Sequence, residues 1–500
     1  MNTTIRAISL SLIASTLLIS GAHAATSTEV YDLVINEGRV IDPETEFDGL
    51  RNVGIRAGRI VAISDTQLTG KQTIDARGQV VAPGFIDIHS HTPTQFAQRI
   101  NVRDGITTAL DTEAGALPVA AYGDNLRPTP MLNYGASVGH YAARIKVIEG
   151  RDQPYFFYRG QYASMSSAAF EQPASPEQIE QIRGLLEEGL KNGGLGIGLL
   201  LDYMRDAVGE EELRMIFETA AAFDAPVFTH VRRGLPGDPA GLDEVLEMAL
   251  ATGAPLFICH ITHNAMGGVK QWLSKIDAAR ARGARVTTET LSYLAGGTSI
   301  DADVFRKRDW RRIFDIDYGD VQWVATGEWL TEETWHQYAN SGDGGMVNHH
   351  YVKESWLLEA LDWPDMMIST DALPSFSAQQ LSNPNIGGSF SLVLGKYVRE
   401  KGAMTLSDAL SRMSLKQAQW LQQIAPAFAR KGRLQVGADA DIVVFDPDTI
   451  AAGADYGNPY APPTGMNWVI VNGIPVVADG HLVDGPAPGV QLFANDDSGN

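Results

Sequence analysis

Three short stretches near the front of the chain, residues 31–36, 52–56 and 59–64, are dense in Val, Ile and Leu and are separated by Gly, Pro and Asp turn formers, which predicts a small all-β unit. The same texture returns at 433–436, 440–445 and 467–471, so residues 25–80 and 429–500 are expected to join into one β-sandwich. Between them, over 81–428, apolar runs of buried type alternate with amphipathic stretches, the rhythm of parallel strands joined by crossover helices. Eight runs stand out, at 80–88, 106–111, 131–138, 195–201, 226–229, 255–259, 285–288 and 366–369. Eight such units predict an α/β fold, a closed (β/α)8 TIM barrel. Helix starts agree: Ser175, Pro176 and Glu177 open one helix, and Thr405 with Asp408 forms a capping pair before another. A doubly wound open sheet is the alternative, but Gly194, Gly196 and Gly198 have the wrong spacing for its phosphate-binding glycines.

One stretch breaks the rhythm. Residues 295–365 are too long for a simple connection and hold six of the nine tryptophans, which predicts an inserted subdomain, either a lid or a packed decoration. The front of the chain differs again: Arg6, an apolar run over 7–19 and Ala22-His23-Ala24 before Ala25 have the layout of a signal peptide over residues 1–24, too short to span a bilayer. A periplasmic or secreted protein without stable membrane insertion is expected. The single cysteine, Cys259, permits no intrachain disulfide and sits in an apolar run, as a core thiol does. A net charge of -21 makes nucleic acid an unfavourable partner, because no Lys/Arg block offsets the repulsion.

Active sites of (β/α)8 barrels lie at the C-terminal ends of the strands. Here those positions carry His89 and His91, Asp111 and Glu113, His140, Asp202, His230, His260, Glu289 and Asp371. Each alone is ordinary. Together, four imidazoles at 89, 91, 230 and 260 with carboxylates at 113 and 371 make a donor set suited to Zn²⁺ or one or two similar divalent ions. Period-two alternation places His89 and His91 on the same face of their strand.

With those residues, the motif Pro83-Gly-Phe-Ile-Asp-Ile-His89-Ser-His91, the Thr229-His230 pair, His260, Ser369-Thr-Asp371 and the segment 431–446 resemble the amidohydrolase superfamily over essentially the whole chain after the leader. The residues 104–110, 133–138, 194–198, 287–289 and 394–400 are most similar to its D-aminoacylase branch, the N-acyl-D-amino-acid deacylases, and to D-glutamate deacylase-like members. The resemblance implies His89, His91 and Asp371 at one metal position, His230 and His260 at the other, and Glu113 as the bridge. It also implies hydrolysis of a linear amide in a small N-acyl amino acid, with Asp371 as general acid and base. Related activity on dipeptides or cyclic amides, or metal-dependent binding without turnover, are the alternatives. The chain departs from the branch where a carboxylate-clamping Arg is usual: Asn383-Pro384-Asn385 stands there, and Leu291 and Gly297 replace a Tyr and a Ser. His140, Tyr203, Arg232, Tyr293 and Asn385 are the expected substrate contacts, with Arg233 a further possible replacement for the clamp.

Overall fold

The computed structural model describes residues 30–158, 161–342, 344–485 and 487–495. The expected leader, 1–24, lies outside the described residues. Among them, no helix is long and apolar enough to cross a membrane.

Eight parallel strands form the central sheet in sequential order: Phe85–Asp87, Ile106–Ala116, Asn133–Gly139, Ile197–Leu200, Val227–His230, Leu256–Ile258, Val286–Leu291 and Met367–Ser369, strands 1 to 8 below. All their residues are buried, so apolar and small residues predominate without a polar-out alternation, and the polar ones, Asp111, Glu113, His230 and Glu289 among them, gather toward the barrel mouth. The barrel closes just past the strand ends. Asp371 N donates to His89 O at 2.8 Å, His91 N to Ala372 O at 3.0 Å, and Ser90 bridges Ala372 in parallel. Closure therefore runs through the segments that carry the first and last of the candidate ligands.

Helix Pro176–Lys191 shows how the outer layer forms. Ser175 accepts the Gln178 N–H, and the Gln178 side chain accepts the Ser175 N–H, satisfying two end donors at once. Ile179, Ile182, Leu186 and Leu190 then recur at helical spacing and are buried against the barrel core. Thr405 likewise accepts from Asp408 N at the start of Leu406–Leu410.

The first apolar run divides in two. Val80–Pro83 pairs with Tyr31–Asp42 on one side and Ile442–Phe445 on the other, inside a nine-stranded sheet built from both ends of the chain. Gly84 is the break: a Cβ there would lie 2.3 Å from Thr107 Cγ2, so only glycine lets the chain pass into strand 1. Period-two alternation divides the sheet's burden. Ile442 and Val444 join a core with Leu33, Ile35, Val53 and Ile74, while Val443 and Phe445 join the barrel core.

The tryptophan-rich stretch is an inserted subdomain with its own four-stranded sheet, ordered Gly296–Ser299, Met346–His349, Val321–Trp323 and Glu328–Trp329. Aromatic stacking holds it: Trp323 lies 4.1 Å from Tyr338 at 7°, and Trp310 lies 4.5 Å from Trp335 at 28°. Gly297, Thr298 and Met346 line the cleft over the barrel mouth.

Candidate metal centre

The segment just past strand 1 delivers His89 and His91, strand 2 Glu113, strand 5 His230, and the turns after strands 6 and 8 deliver His260 and Asp371. The last two adopt left-handed backbone, with φ of 33° and 47°. Such non-glycine conformations cost of order 1–3 kcal/mol each and recur at functional sites. All six side chains converge. Glu113 stands at the centre, with Oε1 3.1 Å from His230 Nδ1 and 2.8 Å from His260 Nε2. Its Oε2 lies 3.3 Å from His89 Nε2 and 3.5 Å from His91 Nε2, and Asp371 Oδ1 lies 3.4 Å from both of those nitrogens.

These separations suit a metal. A tetrahedral ion with bonds of about 2.0–2.1 Å sets its ligands about 3.3 Å apart. The donors fall into two half-sites that share Glu113: one holds His89, His91 and Asp371, the other His230 and His260. His89 Nε2, which faces Glu113 and Asp371, is buried and has no hydrogen-bond partner, the state of a nitrogen reserved for a cation. The electrostatics agree. Burial opposes charge on His89, but Glu113 and Asp371 outweigh it and raise its pKa well above the usual value; burial likewise opposes charge on His91, and Asp111 leads the groups that raise it. Burial also opposes charge on Glu113 and Asp371, yet the surrounding imidazoles, His89 foremost, hold both carboxyls below their usual range. The His89–His91 side thus stabilises positive charge, while burial and the neighbouring His260 lower the pKa of His230 and favour its neutral, ligating form.

A supporting layer orients the donors. Glu289 Oε1 lies 3.0 Å from His89 Nδ1 and accepts the His260 N–H at 2.6 Å, while its Oε2 accepts from Ser369 Oγ at 2.5 Å. Asp111 Oδ1 lies 3.2 Å from His91 Nδ1, and Asn264 Nδ2 lies 3.0 Å from His260 Nδ1. Carboxylate–imidazole pairs of this kind fix the ring and strengthen it as a ligand. Asp111 and Glu289 also close or follow apolar runs of the sequence, so the signal for them was the same as for the ligands; Asn264 gave none. Cys259 is buried as a core thiol should be, and burial pushes its pKa up. Its sulfur nevertheless sits in the cluster, within 4.8 Å of donor atoms of His89 and Glu113.

The expected substrate contacts divide. Tyr203 lines the cleft, its ring 4.6 Å from that of His230, and its oxygen accepts from Thr298 Oγ1 at 3.0 Å. The other four do not line it. His140 Nε2 is 2.8 Å from Glu212 Oε1 in a buried pair shared with Arg144. Arg232 bonds Glu244, Val208 O and Arg205 O, so its charge is already answered. Tyr293 donates to Ala454 O at 2.7 Å, and Asn385 Nδ2 to Thr370 O at 2.6 Å, where it braces the turn that presents Asp371. Each of the four has local partners that fix it in the scaffold.

The cleft above the cluster has a volume of about 400 Å³. His91, Glu113, His260 and Asp371 face it, and Phe156, Phe157, Met165, Leu200, Met346 and Leu373 give it apolar walls. No Lys or Arg is among the residues lining it.

A (β/α)8 barrel with four imidazoles and two acids at its mouth is the architecture of a metal-dependent hydrolase, and residues 72–302 match the Amidohydrolase family: the chain carries a domain of that family. Among its relatives is the N-acyl-D-glutamate deacylase of Alcaligenes xylosoxydans xylosoxydans, 29% identical over 90% of this chain and 94% of that protein. The D-aminoacylase of the same organism is 27% identical over 90% of this chain and 95% of that one. A crystal structure of the Bordetella bronchiseptica N-acyl-D-glutamate deacylase, complexed with zinc and a phosphonate that mimics the tetrahedral intermediate, superposes with a TM-score of 0.75 at 27% identity, covering 93% of this chain and all of that one.

Proposed function

We propose that the protein is a metal-dependent amide hydrolase that deacylates N-acyl-D-amino acids. The observation that carries this reading is the placement of Glu113, each of whose carboxylate oxygens faces a separate pair of imidazoles. The donor set fits zinc, as in the solved relative, with His89, His91 and Asp371 on one side, His230 and His260 on the other and Glu113 between. When bound, a divalent ion lowers the pKa of water and polarises a carbonyl oxygen.

The chain's own residues do the rest. Asp371 is the only one of the six held in a turn after the last strand, its oxygen directed at the His89–His91 side and its side chain facing the cleft. There it takes a proton from the attacking water and returns it to the leaving nitrogen. Tyr203 is kept protonated by burial, and because Thr298 donates to its oxygen, its own hydrogen is left to polarise the scissile carbonyl. The apolar walls hold acyl or side-chain groups and exclude water.

A hydrolysis screen of zinc-loaded protein tests the reading, using N-acetyl and N-formyl D- and L-amino acids beside dipeptides and hydantoins. Release of free D-amino acid is expected; turnover confined to dipeptides or hydantoins, or no turnover at all, overturns it. The leader-like N-terminus supports a periplasmic or secreted location, for which the mature exported chain should begin near Ala25; an intact N-terminus on exported protein contradicts cleavage there.

A further inference from the structure

Cys259 is the one member of the buried cluster for which the proposed chemistry has no use. A free cysteine in a barrel core is ordinarily a small hydrophobe among apolar neighbours, and the strand 6 run before it, Leu256, Phe257 and Ile258, fits that description. Its sulfur does not. It lies with a ring nitrogen of His89 and a carboxylate oxygen of Glu113 in a group whose three donor atoms are all within 4.8 Å of one another, and all three residues are buried.

The backbone explains how the sulfur comes to face that way. Along a regular strand, neighbouring side chains point to opposite faces, so residues 259 and 260 would not both reach the barrel mouth. Strand 6 ends at Ile258, and His260 takes left-handed backbone with φ of 33°, which breaks the alternation and brings both side chains to Glu113. The peptide is pinned on each side. Cys259 N donates to Thr229 O at 3.0 Å, Asn264 Nδ2 donates to Cys259 O at 3.1 Å, and Glu289 Oε1 accepts the His260 N–H at 2.6 Å. Residue 259 is therefore fixed beside the cluster.

A second feature of the same group points to a cation: His89 Nε2 is buried and unpartnered, 3.3 Å from Glu113 Oε2. Nitrogen, oxygen and sulfur together make a mixed donor set, and a sulfur ligand favours soft ions such as zinc or cadmium over hard ones such as manganese. A tetrahedral ion with bonds of about 2.0 Å to nitrogen and about 2.3 Å to sulfur sets those two atoms about 3.5 Å apart, a separation inside the limits of this group.

We propose that Cys259 is a further metal ligand, a sulfur donor to the His89 side of Glu113, and that it directs the centre toward thiophilic divalent ions. This rests on the metal-dependent reading above. Coordination replaces the S–H bond by a metal–sulfur bond, and the proton leaves to solvent.

Cobalt substitution tests the assignment without recourse to activity, because Cys259 is the only cysteine in the chain. Bound Co²⁺ reports its occupancy by visible d–d absorption, and a thiolate ligand adds an intense charge-transfer band in the near ultraviolet. Wild type is expected to show both, and Cys259→Ser only the first. In competition titrations Cys259→Ser should also lose at least about 10-fold of the wild-type preference for cadmium over manganese. Visible absorption without the charge-transfer band in wild type, a band that survives in Cys259→Ser, or an unchanged cadmium-to-manganese ratio overturns the sulfur assignment and leaves the six-residue centre standing. Protein that takes up no cobalt contradicts the centre itself and this ligand with it. Should Cys259→Ser fail to fold, Cys259→Ala takes its place, and the wild-type spectrum still decides, since no second thiol can supply the band.

Discussion

Asp371 combines two features that a merely structural aspartate does not need, a left-handed backbone and a carboxylate shared between two imidazoles. Asp371→Asn keeps size and one oxygen donor, so the folded variant should retain most of its zinc while kcat falls at least about 100-fold. A rate near wild type would remove Asp371 from the chemistry. Glu289 never touches the cleft, yet it accepts from both His260 N–H and the His89 ring. Glu289→Gln should weaken zinc binding by about 10- to 100-fold in a competition titration, and unchanged affinity would contradict its orienting role. At this scale the ligands were legible because each follows an apolar run that becomes a barrel strand. Loop contacts were not: Arg232 and Arg233 are neighbours, but one turns to Glu244 and the other toward Asn264, and no local pattern distinguishes them.

Among elements, the joint between barrel and end sheet depends on one buried cluster. Lys431 Nζ lies 2.7 Å from Asp441 and 3.0 Å from Asp439, and Asp441 also accepts from Asn133 of strand 3 and from the backbone of Asn472. Lys431→Met leaves Asp441 without its cation, while Asp439 keeps Arg59 and Arg430, and should cost about 3 kcal/mol, read by denaturant unfolding. Burial pulls the Lys431 pKa down, but Asp441 and Asp439 outweigh it and raise it above the usual 10.5. Its contribution is therefore complete below that pH and is lost as pH climbs past it through the higher folded value. Wild type should lose an increment of stability in that alkaline range that the variant does not lose; equal alkaline slopes would contradict the coupling. All eight strands were visible in the sequence as apolar runs. The division of the first at Gly84 was not, since a tight passage beside Thr107 leaves no mark in hydrophobicity. The insert announced itself by length and tryptophan content, but its sheet is held by aromatic stacking between segments far apart in the chain, which periodicity does not record.

For the whole molecule, two distant ends form one sheet whose strand Val80–Pro83 leads into strand 1, and the similar β texture of those ends foretold the union. Closure at Ser90 and Ala372 then draws His89, His91 and Asp371 together, while Glu113 ties them to His230 and His260. The central claim is that this convergence exists to hold divalent metal. Diffraction from crystals of the zinc-loaded protein, with data on either side of the zinc absorption edge, measures it directly. The account predicts one or two anomalous peaks within about 2.0–2.2 Å of donor atoms from these six side chains, on one or both sides of Glu113. Zinc bound elsewhere, or no peak within reach of Glu113 in fully loaded protein, would contradict it.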